Sequence, residues 1–271
     1  DAAERWRVHP LSLPRGARLV LYDIKMLSTS QGIATGYLSV GSEIYPTSLI
    51  TADGGRRWTF AETPEAGRAL FFVGQRTGWM VAAGSLWKTG DAGRTWQRLP
   101  GSDATRSVSR VYFRDELTGW AVGAGKGVYR TEDGGVSWEP ARVVGAADLT
   151  PDRTSYDWIA FGSEQVGMIA GASVPPKSNR PGSRELPHLT LFLDTRDGGL
   201  TWTASTTSMF GRVTRVAFHP SGKGLGLIEF REEFDYPSEV FSIDWRSGKS
   251  ARVFRRADVA VIDDGIESRY S

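Results

Sequence analysis

The sequence predicts an all-β chain: a β-propeller of four-stranded antiparallel blades, six in number, with seven as the alternative. Three observations predict it. One turn sequence recurs four times at a fixed internal spacing. An apolar-x-apolar pair begins eight positions before a glycine in five places. No window of about 12 residues shows helical periodicity. Fixed-period self-similarity of about 40–45 residues with four short strands per unit is the signature of a propeller blade.

The inner strand comes first in each unit. Ile24 and Met26 precede Gly32, and Leu70 and Phe72 precede Gly78. Val111 and Phe113 precede Gly119, Ile159 and Phe161 precede Gly167, and Val216 and Phe218 precede Gly224. Val259 and Val261 open a sixth copy, whose Gly265 comes two residues early. The units therefore start near 24, 70, 111, 159, 216 and 259, within one domain spanning 1–271. The remaining strands follow the same logic in the third unit. Gly119–Gly123 reads as a second strand, Val128–Thr131 as a third, and Ser137–Pro140 opens a fourth, with Gly and Asp in each gap.

The turn between strands three and four is the repeated sequence T-x-D-[GA]-G-x-x-W. It occurs at Thr51–Trp58, Thr89–Trp96, Thr131–Trp138 and Thr195–Trp202. Asp accepts hydrogen bonds from turn amides, Gly supplies positive φ, and Trp buries a large face beside the turn. Asp53, Trp58, Asp91, Trp96, Asp133, Trp138, Asp197 and Trp202 are thus read as structural. Calcium binding needs further acidic ligands and a closing Glu, which these turns lack. Asp1 and Trp6 keep the Asp-to-Trp spacing without the glycines, so the N-terminal segment is expected to supply an outer strand that closes the ring.

Composition narrows the function classes. The 271 residues contain no Cys, which removes disulfide scaffolds, Cys-based zinc sites and thiol nucleophiles. A net charge of +2 gives no general case for nucleic-acid binding. No run of about 20 apolar residues spans a membrane. The chain opens at Asp1 rather than Met, and the expectation is a processed, exported protein in the periplasm or outside the cell. A monomeric propeller is expected, with no cofactor and no metal. His9, His188 and His219 have no ligand spacing.

The four turns resemble the Asp-box, or BNR repeat, of sialidases and many other β-propellers. Thr77–Val81 and Thr118–Gly123, just before two of them, narrow the match. With the short repeat they are similar to the photosystem II stability and assembly factor-like family of Asp-box propellers. The resemblance covers residues from about 18 to 262. It implies a propeller that holds a protein partner during assembly of a larger complex. The fifth unit departs from the pattern: Phe241–Trp245 and Ser247–Lys249 form a hairpin without the turn.

In a propeller blade the loops after strands one and three share one face, and the loops after strand two share the other with the blade connections. The insertion Ala172–His188 follows strand two of the fourth unit and carries Lys177, Arg180 and Arg184. The matching loop of the fifth unit, Phe230–Glu239, carries Phe234 and Tyr236 among acids. Aromatics contribute large contact area in recognition. With Arg110, Arg153 and Arg215 from the blade connections and inner strands, these residues make the candidate binding face. Arg110 and Arg215 share a register position with Asp23, Ala69, Trp158 and Asp258. Such a ring suits either an anion or a peptide carboxylate in the channel, or ion pairing between neighbouring blades.

Enzymatic readings fare worse. Sialidases, which the Asp-box brings to mind, hold a carboxylate with three arginines and use a Tyr nucleophile with a Glu and an acid/base. Here Tyr236 lies near Glu233 and Asp235, but one loop cannot distribute those roles around a channel, and the early Arg-Ile-Pro segment is absent. The expectation is a non-enzymatic protein-binding scaffold. The alternatives are a sialidase-like glycoside hydrolase or glycan-binding lectin, and a sensor or ligand-binding domain of a longer exported protein.

Overall fold

The second apolar residue of the first four inner strands lies over the glycine that follows it in the repeat. The ladder pairs Met26 with Gly32, Phe72 with Gly78, Phe161 with Gly167 and Phe218 with Gly224. A Cβ on Gly78 would sit 2.4 Å from the Phe72 ring, and one on Gly119 2.5 Å from the Phe113 ring. The glycine is a seat for a neighbour's side chain. That is the physical content of the eight-residue spacing.

The computed structural model describes residues 11–100, 106–146, 149–174, 188–205, 211–218, 223–229, 238–244, 249–255, 261–262 and 265–266. It has two compact units, residues 1–121 with 129–139, and residues 122–128 with 140–271. The first unit opens with β1 (Ala17–Met26), β2 (Gly32–Val40), β3 (Glu43–Thr51) and β4 (Thr59–Glu62), paired in that order. A second sheet follows in the same order: β5 (Ala69–Val73), β6 (Thr77–Ala82), β7 (Ser85–Thr89) and β8 (Gln97–Arg98). The third sheet is β9 (Val108–Phe113), β10 (Gly119–Gly123), β11 (Val128–Thr131) and β12 (Glu139–Pro140), its residues shared between the units.

In the first unit the inner-strand pair points at the preceding blade. Leu70 and Phe72 pack with Ile33 and Ile50. Val111 and Phe113 pack with Trp79 and Leu86. Trp79 stacks on Phe113 at 3.5 Å between centroids and 4° between planes, and its Nε1 donates to the Gly134 carbonyl at 2.9 Å. In β1 the equivalent pair is exposed: Ile24 by 54% and Met26 by 49%.

The second unit contains β13 (Arg142–Val144), a 3-10 turn (Pro151–Arg153), β14 (Thr154–Phe161), β15 (Gly167–Ser173), β16 (Leu189–Thr195) and β17 (Thr201–Ser205). Their order is β13-β17-β16-β15-β14, with β13 parallel to β17 as a fifth, outermost strand. The last blade is β18 (Arg212–Phe218), β19 (Lys223–Glu229), β20 (Ser238–Asp244) and β21 (Lys249–Arg255), in sequential order. Val213, Val216 and Ile228 of this blade pack against Ala170, Trp158 and Phe192 of the one before.

Five blades are present, which corrects the expectation of six or seven. After β21 the strands among the described residues are β22 (Val261–Ile262) and β23 (Gly265–Ile266), two residues each. The early Gly265 closes a hairpin where a first strand and its turn were expected. The N-terminal segment Asp1–Val8, read as a ring-closing strand, lies outside the described residues. Among the described residues no helix is long and apolar enough to cross a membrane.

Three inner strands carry a β-bulge at one level. Register shifts fall between Leu21 and Asp23 in β1, Tyr156 and Trp158 in β14, and Val213 and Arg215 in β18. A bulge inserts one residue and re-aims the next side chain. Opposite two of the bulges the partner strand carries glycine. A Cβ on Gly36 would lie 1.9 Å from the Val20 carbonyl oxygen, and one on Gly171 2.0 Å from that of Ser155.

Candidate functional site

The four repeated turns share one set of Thr and Asp hydrogen bonds, while their Trp side chains differ. In each, the Thr hydroxyl donates to the Asp carboxylate and accepts from the second glycine's amide: 3.1 and 2.9 Å for Thr51, 2.8 and 3.0 Å for Thr89. Thr131 gives 2.7 and 3.0 Å, and Thr195 gives 2.8 and 2.8 Å. The Asp then accepts the amide four residues on, from Arg57, Thr95, Ser137 or Thr201, at 2.8–2.9 Å. The two central residues take positive φ, from 65° at Ala92 to 94° at Gly135. Trp58 and Trp138 close the turn by donating Nε1 to Gly55 and Gly135 carbonyls, each at 3.1 Å.

Each turn is also tied to the first loop of its own blade. The amides of Gly54, Ala92, Gly134 and Gly198 donate to the carbonyls of Ser30, Arg76, Leu117 and Gln165 at 2.7–2.9 Å. The hydrogen bonds within the turns favour the ionised carboxylates. Donation by the Arg57 side chain and amide, with help from Thr51, holds Asp53 down at about 2. Burial alone would raise Asp133, but the Ser137 hydroxyl and amide and the Thr131 hydroxyl outweigh it and bring it to about 2. Asp91 and Asp197 are lowered by the same balance, burial opposing the turn's hydrogen bonds. The acids are thus committed to the turn. Among the described residues no group of three or more His, Asp or Glu side chains is placed to hold a metal ion.

The inner-strand register position is occupied by paired groups. Arg110 Nη1 lies 3.0 Å from Asp23 Oδ2, with side chains only 14% and 7% exposed. The same oxygen accepts the Leu70 amide at 2.9 Å, and the other oxygen the Ile24 amide at 3.0 Å. Asp23, Leu70 and Arg110 come from three successive inner strands, so one carboxylate ties three blades of the first unit. In the second unit the Arg215 guanidinium sits 5.0 Å over the Trp158 ring, a cation–π contact. Asp23, Trp158 and Arg215 each follow a bulge, which sets their direction.

Arg153 ends the 3-10 turn and is exposed. Its carbonyl accepts the amide of Val174, the residue that leads into the insertion, at 2.8 Å. The insertion lies between β15 and β16, and the matching loop of the last blade between β19 and β20. Both therefore follow second strands, at the end of their blades away from any Thr-x-Asp turn. Lys177, Arg180, Arg184, Phe234 and Tyr236 lie outside the described residues.

One polar group of this region was missed in the sequence. Arg212 makes a bidentate pair with Asp157, at 2.8 Å from Nε and 2.6 Å from Nη2. Asp157 is buried and also takes the Ser155 hydroxyl at 3.1 Å. That pairing raises Arg212 further above its ordinary value, against the opposing effect of burial. Asp157 is the extra residue of the β14 bulge. No composition or spacing rule reveals where a bulge falls.

No family model and no curated protein matches the chain. Solved structures do. One entitled YCF48 bound to D1 peptide matches with a TM-score of 0.56 at 16% identity, covering 85% of this chain and 65% of its own. YCF48 from Cyanidioschyzon merolae matches at 0.54 and 16%, covering 89% and 86%. A GH74 xyloglucanase from Xanthomonas campestris matches at 0.57 and 16%, covering 83% of this chain and 36% of the enzyme. This chain is a β-propeller. It spans about two thirds of the peptide-bound YCF48 chain and about a third of the xyloglucanase.

Proposed function

We propose that the chain is a non-enzymatic, protein-binding propeller of the Asp-box class that assists assembly or stability of a larger complex. The observation that carries the reading is its structural likeness to YCF48 bound to D1 peptide. The binding face is the end of the blades reached by the loops after second strands, with Arg153, Lys177, Arg180, Arg184, Phe234 and Tyr236. Arg110 and Arg215 complete the assigned residues, one held by Asp23 and the other over Trp158. The test is affinity capture from the native host with chemical cross-linking, using the full chain and a chain lacking residues 174–187. A partner cross-linked to this face and lost with the deletion supports the reading. Cross-links confined to the opposite, Thr-x-Asp end would overturn the assigned face.

The GH74 likeness supports a second reading, a glycan-acting propeller. Release of reducing sugar from xyloglucan, or turnover of a fluorogenic sialoside abolished by Tyr236→Phe, would replace the first reading with this one.

A further inference from the structure

The first blade is covered on one face and open on the other. Ile33 and Ile50 point to one side and pack with Leu70 and Phe72 of the second blade. Alternation places their neighbours on the other side, where the ladder aligns Ile24, Ala34, Leu49 and Phe60 in one row. Ile24 is 54% and Phe60 45% exposed there, and Leu21 and Met26 are exposed on the same face. The last blade is open on its opposite face. Val213, Val216 and Ile228 pack against the blade before it. The alternate positions Ala217, Leu225, Ser242 and Ala251 form a row on the other side, with Leu227, Val240 and Phe254 as the next row. Leu225 and Phe254 are each 52% exposed. None of these rows carries a charged side chain, and contiguous apolar surface of this kind marks an interaction site.

The covered blades show what fits such a face. The side that carries Leu70 and Phe72 receives Ile33 and Ile50 of the blade before it, and the side that carries Val111 and Phe113 receives Trp79 and Leu86. Val213 and Val216 receive Ala170 and Phe192 in the same way. Ile24 and Met26 hold that receiving position in the first blade, and Leu225 holds the inserting position in the last. We propose that the occupant is a second copy of the chain, the last blade of one copy packing on the first blade of the next. Both faces are exposed in the single chain, and each is the complement that the other lacks. The contact is heterologous, since two different surfaces meet, and it repeats from copy to copy until a ring closes. Sheet faces pack about 10 Å apart with their side chains interdigitated, and these rows bring no charge out of water. The inference is independent of the protein-binding reading, which concerns the loops after second strands.

The test is light scattering of the full chain over a wide concentration range, where the mass is expected to reach at least twice that of one chain. Ile24→Asp blocks the receiving face and Leu225→Asp the inserting face. Each variant alone is expected to give single chains with an unchanged thermal midpoint. An equimolar mixture of the two keeps one intact contact and is expected to stop at two copies. The chain has no native cysteine. Ile24→Cys with Leu225→Cys in one chain, joined by a short bismaleimide, therefore reports which chain supplies the neighbour, even where an Asp variant fails to fold. A product of two or more chains supports the proposal. A product of one chain's mass would overturn it, because the chain then covers its own first blade. A single-chain mass at every concentration would also overturn it. So would a two-copy mass that Ile24→Asp abolishes and Leu225→Asp leaves intact, since the first blades would then pair with each other.

Discussion

Arg110 and Asp23 are 87 residues apart in sequence and 3.0 Å apart in space. The Asp23 carboxylate also accepts the Leu70 amide, so it holds the inner strands of three blades to one another. Removing one partner of a buried ion pair leaves the other uncompensated. Arg110→Ala is expected to cost about 3 kcal/mol in urea unfolding, and Arg110→Ala with Asp23→Asn to cost less than the sum of the two single changes. A residue serving only a channel ligand would lower binding and leave unfolding unchanged.

Ala92 occupies the position that is glycine in the other three turns, at a φ of 65°. A non-glycine residue there is strained by roughly 1–2 kcal/mol, partly offset by glycine's larger unfolded-state entropy. Ala92→Gly is therefore expected to stabilise the chain by up to about 1 kcal/mol. Gly134→Ala tests the opposite direction. Its Cβ would meet the Glu116 carbonyl oxygen at 2.7 Å as well as the unfavourable φ of 75°, so the thermal midpoint is expected to fall.

The bulge in β1 leaves no room across the ladder. Gly36→Ala would bring a methyl within 1.9 Å of the Val20 carbonyl oxygen, where only backbone movement relieves it. Overpacking of this kind costs about 1–3 kcal/mol, and the upper end is expected here. Since the bulge aims Asp23, the same change is expected to weaken the coupling measured between Asp23 and Arg110.

Acid should loosen the turns. Their carboxylates sit below the ordinary 3.8 in the folded chain, at about 2 for Asp53 and Asp133. The unfolded chain therefore takes up protons first, and stability falls as pH drops. The contribution is whole above about pH 4 and is lost between about 4 and 2. Asp53→Asn with Asp133→Asn is expected to flatten the dependence of the thermal midpoint on pH in that window.

The turns were legible because Thr, Asp, Gly and Trp each have one job there and the spacing repeats four times. The inner pair was legible as a pattern. Its reason, an aromatic ring seated over the following glycine, needed the ladder. Asp157 and Arg212 were invisible because an inserted residue changes pairing without changing composition. The partner of Arg110 was visible only as a type: pairing between blades was one of two readings, and Asp23 had to be brought there by a bulge. The blade count failed where Val259 and Val261 imitate an inner strand in sequence but Val261 and Ile262 pair with Ile266 and Gly265 in a two-residue ladder.

The amide-to-carbonyl ties from the third-to-fourth-strand turns to the first loops fasten one end of four blades. The other end is tied less regularly, through Val174 to Arg153, Arg68 to Val81 and Gly125 to Thr154, and its loops range from Gly41-Ser42 to the long connection that begins at Val174. A blade of this kind can accept foreign sequence at one end while the ties at its other end preserve its melting behaviour. A binding loop or epitope grafted between β6 and β7, at Ala83-Gly84, would be displayed without disturbing the stitched side, making this chain a one-sided presentation frame.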